Sequence, residues 1–340
     1  IVRAIMEIIV TRLASTALFA LAIAAPPAAA QDVMDKTITI NVAGTTGGGI
    51  DLVSRLLSRH FSKHAPGKPN VLVQNMPGAG GIRAANYLAE TAPKDGSAWA
   101  IFAGGPILEP LIGARNPGYD MSKFNWIGAV AKDVGLCIVM ASTGFKTVDD
   151  ARKNEVIVAG TGAGSETDTY PVILNDVLKT KFKLVTGYLG TKETIMAMES
   201  GEAHGRCSFA LAAIKITRPD WIAEKKINYF FQLAPEKSRD LPDVPLVFEF
   251  INNDADRQLL ELMVATKAIA LPFAAPPGVP PARLEMLRRA FDATMKDPEF
   301  LAEAKKMLLD VEPSTGEATQ AVVTKLYATP PAVEIGRAHV

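Results

Sequence analysis

The residues best placed to do chemistry in this chain are glycines. Between Val42 and Arg55 it reads VAGTTGGGIDLVSR, a turn with few side chains that runs straight into an amphipathic pattern. The first turn of a helix carries N–H groups without intrahelical partners, and the aligned peptide dipoles add partial positive charge there. Glycine lets a ligand approach such a backbone closely. The segment GTTGGG can therefore receive a carboxylate or phosphate through backbone donors and the hydroxyls of Thr45 and Thr46. Similar turns recur in MPGAGGIR, FAGGP and GTGAGSET.

Other glycine chemistries fit less well. A P-loop needs G-x-x-x-x-G-K-[ST], and no such lysine follows any of these turns. GTGAGS approaches the dinucleotide fingerprint with Gly160, Gly162 and Ser165, but it lacks the final glycine or alanine. Ser165 does not lie in a G-x-S-x-G elbow and is read as a helix cap. His60 and His64 stand four apart on an expected helix, a spacing that can share a metal. With no H-E-x-x-H and no evident third ligand, they are read as solvated cations near a helix C-terminus, beside Lys63. His204 is read as structural. No triad or carboxylate pair emerges, so neither catalysis nor a metal or cofactor is expected.

These turns need strands and helices to hold them. TITINVAG is strand-like, and the helix that follows carries Leu52, Val53, Leu56, Leu57 and Phe61 near one face. PNVLVQN, SAWAIFAGGP and VIVAGTGAGSETDTYPVILNDVL repeat the order strand, glycine turn, helix. That order belongs to parallel α/β sheets, which place ligands at the carboxyl ends of their strands. LCIVMA, EVIVAG, FKLVTG, AHGRCSFA and INYFFQLA supply strands for a second sheet. Prolines then punctuate the chain before a helical pattern that starts at Pro281 and breaks at KDPEF.

A chain of 340 residues can build two α/β domains. Its 36 basic and 36 acidic side chains balance, which excludes a broad field that would draw nucleic acid. Arg12, the apolar run LASTALFALAIAA and the small residues Ala28 and Ala30 read as a secretory signal over residues 1–30, starting at Met6 and cleaved before Gln31. The run is too short for a spanning helix, which needs about 20 apolar residues. EIGRAHV, residues 334–340, is set aside as a non-native tail. Cys137 and Cys207 fall in expected strands; an oxidising compartment allows a bond if those strands are neighbours, and two buried free thiols is the favoured reading.

VQNMPGAGGIRAANYLAETAPKDGSAWAIF resembles a stretch shared by extracytoplasmic receptors of tripartite tricarboxylate transporters, the Bug family. It carries Asn75, Pro77, Gly78, Ala79, Gly80 and Gly81, then Pro93, Asp95 and Gly96. GGGIDLVSR is similar to the family's Gly-Gly-x-x-Asp-x-x-x-Arg, with Gly48, Asp51 and Arg55. GTGAGSETDTY, GYLGTKETIMAMESGEA, LPDVP and FAAPPGVPPARL extend the resemblance over the mature chain. It implies a two-lobed α/β fold of the periplasmic-binding-protein type (type II, Venus-flytrap). Lobe 1 would be residues 31–133 and 233–333, and lobe 2 residues 134–232.

The resemblance further implies a periplasmic monomer that captures a small organic carboxylate for membrane transporter subunits, without cofactor, metal or nucleic acid. Carried over, the first-lobe contacts are Thr45, Thr46, Gly47, Gly48, Gly49 and Asp51, with Gly104 and Gly105. The second-lobe contacts are Thr161, Gly162, Ala163, Gly164, Ser165 and Thr167, with Gly187, Tyr188 and Gly190. The chain departs from the family at AGTT, where aromatic or proline residues are usual, and at His204, where aspartate is common. Both departures fall near places that tune the pocket and leave the acid unnamed. Two rivals share these residues: an exported serine hydrolase using Ser165 with His204 as base, and a ligand-binding sensor.

Overall fold

The computed structural model describes residues 37–112 and 117–328. The expected signal segment and the tail lie outside the described residues. The chain opens with β1 (Thr37–Val42), α1 (Gly49–Phe61), β2 (Asn70–Asn75), α2 (Ile82–Asn86), β3 (Ala98–Ile101), α3 (Gly105–Ile112) and β4 (Asn125–Ala131). It crosses to a second sheet through β5 (Gly135–Met140), α4 (Val148–Lys153), β6 (Val156–Ala159), α5 (Glu166–Leu178), β7 (Phe182–Val185), α6 (Thr191–Ser200) and β8 (Gly205–Ala210). There follow α7 (Leu211–Thr217), α8 (Pro219–Ala223), β9 (Ile227–Leu233) and α9 (Asp254–Val264). The chain ends in β10 (Ala270–Ala275), α10 (Pro281–Met295), α11 (Pro298–Lys306), β11 (Ser314–Thr315) and α12 (Gly316–Ala328).

The first sheet has the order β11-β4-β10-β3-β1-β2 and the second β7-β6-β8-β5-β9. In the first, β1 runs parallel to both β2 and β3, while β10 is antiparallel to its neighbours. In the second, β6 runs parallel to β7 and β8, and β5 is antiparallel to β8 and β9. Each lobe thus has a set of three parallel strands, and all of their carboxyl ends but that of β8 carry glycine turns, where α/β sheets bind ligands.

Burial follows the sequence pattern. Ile38, Ile40 and Val42 of β1 alternate into the core and meet Val53, Leu56, Leu57 and Phe61 of α1, while Leu52 is only half-buried. Phe61 packs edge-on against Trp99 of β3 with centroids 4.8 Å apart. α10 begins at Pro281, where the missing N–H costs nothing. The expected break is a helix restart: Asp297 accepts from the amides of Glu299 and Phe300, with Pro298 beginning α11.

Two expectations are corrected here. The chain was expected to return to the first lobe at residue 233, yet Val247 and Leu259, Leu260, Met263 and Val264 of α9 share a core with Cys137, Val158, Tyr170 and Phe231. The crossing back comes at Ala265–Ile269, just before β10. A helix's own periodicity does not say which sheet its apolar face will meet. Cys137 and Cys207 are joined in a disulfide and are not free thiols. They lie on the neighbouring strands β5 and β8, both fully buried, and that adjacency is invisible in the sequence. Among the described residues no helix is long and apolar enough to cross a membrane.

Candidate functional site

The ends of the parallel strands of both lobes enclose a cavity of about 120 Å³. Among the helices that start at its wall without a side-chain cap are the longer α1, preceded by Gly48, and α6, preceded by Gly190. Their first amides therefore keep both the unpaired N–H groups and the positive end of the dipole. The glycines permit the approach. A Cβ on Gly48 would stand 3.7 Å from Thr191 Cβ, and one on Gly49 only 3.0 Å from Ala213 Cβ. A Cβ on Gly190 would collide with the side chain of Thr45. Across the same gap the Thr45 hydroxyl donates to Glu193 at 3.0 Å.

Behind the first turn, Asp51 is fully buried. Its carboxylate accepts the Gly47 amide at 2.8 Å, both Arg55 donors at 3.0 and 2.9 Å, and Asn75 Nδ2 at 2.9 Å. Burial pushes this carboxyl up, but Arg55, the Gly47 amide and Asn75 together hold it below its ordinary range. Asp51 thus fixes the shape of the turn from behind.

The second turn is satisfied internally. Ser165 caps α5 by accepting the Asp168 amide at 3.2 Å. The Asp168 carboxylate accepts the Gly162 amide at 3.1 Å, the Ser165 hydroxyl at 3.0 Å and the Thr186 hydroxyl. Thr167 Oγ1 takes the Thr161 amide at 2.9 Å. The Ser165 hydroxyl is thus committed, and His204 Nδ1 accepts the Ile157 amide at 3.1 Å, so the two do not form a nucleophile and base. The capping role expected of Ser165 is the observed one.

Ionisable groups that sequence reasoning missed also line the cavity: Asp133, Glu166 and Arg206. Glu166 pairs with Lys267 Nζ at 2.7 Å and accepts Ser208 Oγ at 3.0 Å, both partners being buried. Asp133, where the chain crosses between sheets, accepts the amides of Val134 at 2.7 Å and Ala212 at 3.2 Å. Burial pushes its carboxyl up to about 6, outweighing those two amides and the charge of Lys267. Arg206 on β8 donates through Nη1 to Thr194 at 2.8 Å and lies over the Phe209 ring, 4.4 Å from its centroid. Burial pulls its guanidinium down to about 10, against the pull of Glu166 and Asp168, so it stays charged at neutral pH. The one available signal was an arginine inside the strand-like run GRCSFA.

Of the ligand contacts carried over from the family, Thr45, Gly48, Gly49, Thr161, Ser165, Thr167 and Gly190 come together in the cavity wall, beside Gly78, Gly80 and Gly81 of the MPGAGGIR turn. The others stand outside it. Thr46 bonds Asn75 on the exposed side, and Gly47 and Asp51 bond each other. A side chain on Gly104 would run into Glu166 and Thr266, and one on Gly105 would meet the Gly164 carbonyl at 2.6 Å. Those two glycines let the lobes touch. Gly162 and Gly164 turn with φ of 111° and 84°, Gly187 with 102°, and Ala163 lies between the first two. Tyr188 donates to Glu202 at 2.7 Å, and its phenol is pushed up to about 12, mainly by burial and then by that carboxylate.

The histidine pair lies elsewhere and is not freely solvated. His60 meets Glu303 at 2.7 Å, joining α1 to α11, and His64, just past α1, meets Asp297, the N-cap of α11, at 2.6 Å. His60, Asp297 and Glu299 are close enough together to hold an ion. Lys63 Nζ already lies 2.7 and 2.8 Å from the two carboxylates, supplying the positive charge.

A protein of Cupriavidus necator, described as a UPF0065 protein in the gbd 5' region, is 27% identical over 304 residues, covering 86% of this chain and 85% of that one. An Agrobacterium vitis UPF0065 protein is 28% identical over 270 residues, 77% of this chain and 72% of that one. The periplasmic binding protein BugD shares the fold at a TM-score of 0.67 and 20% identity, covering 86% of this chain and 94% of that one. MatC from Rhodopseudomonas palustris, solved with bound malate, does so at 0.67 and 19%, covering 85% and 96%. Residues 53–327 match the family described as Tripartite tricarboxylate transporter family receptor, and the chain belongs to that family.

Proposed function

We propose that this protein captures a small organic carboxylate in the periplasm and presents it, as a monomer, to the membrane subunits of a tripartite transporter. The observation that carries the reading is the pair of uncapped helix starts, α1 and α6, facing one cavity from opposite lobes. A carboxylate between them meets amide donors and two dipole ends of favourable sign. The first amides of each helix hold the acid, with the hydroxyls of Thr45, Thr161 and Thr167 around it. Family membership supports the transport role, and solved structures of this fold carry malate in one case and adipate in another. Residues 1–30 direct export and are removed near Ala30. Mass spectrometry of the secreted protein checks that cleavage.

Binding requires no bond to be made or broken. Closure of the lobes converts the difference in affinity between open and closed states into capture. The test is thermal shift and calorimetry against di- and tricarboxylates, aromatic acids and acidic amino acids. A ligand at 100 times its dissociation constant adds about 2.7 kcal/mol of stability. A panel in which no acid raises the melting temperature contradicts the reading.

A further inference from the structure

Arg206 presents an imbalance that the carboxylate site as described does not use. The residue is only 8% exposed, and its Nε is buried without a hydrogen-bond partner among protein atoms. Nη1 is tethered to Thr194, whose own hydroxyl bonds the Thr191 carbonyl in the first turn of α6. The face of the guanidinium lies on Phe209. The group is therefore held in place beside the start of α6, in the wall of the cavity, with donor capacity left over.

Buried charges are normally paired, because an unpaired one forfeits its hydration. Arg206 forms no ion pair with any described carboxylate. The two acids whose fields reach it are engaged elsewhere: Glu166 by Lys267 and Ser208, Asp168 by Ser165, Gly162 and Thr186. What Arg206 lacks is a directly bonded acid group, and a ligand carboxylate can supply one. A planar, rigidly held fork suits a carboxylate in particular.

We propose that Arg206 receives a second acid group of the ligand and is the residue that makes this receptor select diacids over monoacids. The inference rests on the carboxylate reading above and adds to it which side chain reads the far end of the molecule. One acid group lies at the helix starts; the other pairs with the guanidinium. Charge-assisted hydrogen bonds of this kind correspond to roughly 10- to 100-fold in affinity.

The test is calorimetry at fixed salt with linear diacids from malonate to adipate, each against its own monoamide, which keeps length and one acid group. The wild type is expected to bind its best diacid at least about 10-fold tighter than the matching monoamide. Arg206→Gln is expected to erase most of that advantage, with the diacid losing far more than the monoamide, and Arg206→Lys to retain part of it. Monoamides that bind as well as every diacid overturn the inference while leaving the carboxylate reading intact. Equal loss for both ligands in Arg206→Gln also overturns it, since a merely structural arginine acts that way. Should Arg206→Gln fail to fold, the wild-type ratio and Arg206→Lys decide alone. A wild type that binds no acid overturns the carboxylate reading and this inference together.

Discussion

The two glycine turns GTTGGG and GTGAGS look alike as sequences, yet they have opposite outcomes. In the first, no side chain caps α1, and Asp51 reaches back to Gly47 from behind, leaving the helix start facing the cavity. In the second, Ser165 caps α5, and Asp168 and Thr167 take up the Gly162 and Thr161 amides. Glycine makes both turns possible, but the residues just past the turn decide whether the amides stay available. A Ser-x-x-Asp at the second helix start closes it on itself; Gly-Gly-Ile-Asp at the first leaves it open. The second lobe supplies its open start elsewhere, at Gly190 before α6.

The largest expected effect separates the lobes as whole bodies. The disulfide Cys137–Cys207 closes 70 residues of chain entirely within the second lobe. Its loss in Cys137→Ser with Cys207→Ser should cost about 4 kcal/mol. Hydrogen exchange should show the loosening in β5, β8 and their neighbours, with β1, β2 and β3 protected as before. Uniform loss of protection would mean the two lobes are not separable in this way.

Next comes the gap between the open helix starts. Gly190→Val puts a side chain against Thr45 across the lobes, in an extended backbone that tolerates it. Affinity for the bound acid should fall at least about 100-fold, or ~2.7 kcal/mol, while the melting temperature without ligand barely moves. Unchanged affinity would place the acid elsewhere.

Ser165→Ala asks the same of the closed turn. Loss of the cap should destabilise the protein by about 1–2 kcal/mol, read from denaturant unfolding. Calorimetry should show affinity for the acid changing less than about threefold, because these amides already have partners. A loss as large as that in Gly190→Val would erase the contrast between the turns.

The smallest effect is a pH dependence in the first turn. The folded Asp51 carboxyl is held below its ordinary value of about 3.9. Its contribution to stability is therefore present above the unfolded pKa and is lost as pH falls through the folded one. The stability difference between wild type and Asp51→Asn should be flat above about pH 5 and shrink below about pH 4. Urea titrations across that range check it; a difference that grows on acidification contradicts it.

Much of this was legible because local physics decides it. Alternating Ile38, Ile40 and Val42, the periodic face of α1 and the starts of α10 and α11 at proline are settled within a few residues. The GTTGGG turn with Gly48 and Gly49 follows from where a parallel strand ends, whereas Gly190 was named only through the family resemblance. What sequence could not show depends on distant neighbours. The bond between Cys137 and Cys207 needs the pairing of β5 with β8, and the place of α9 needs the sheet it meets. Lys267 finds Glu166 a hundred and one residues away. Arg206 is significant only because its Nε finds no partner and no described carboxylate bonds it.

The most direct test of the central claim is a crystal structure with a bound acid identified from the panel. The account predicts carboxylate oxygens within hydrogen-bond distance, about 2.7–3.2 Å, of the first amides of both α1 and α6. An acid whose carboxylate meets neither helix start, or a closed cavity filled by side chains with the acid bound elsewhere, would contradict it.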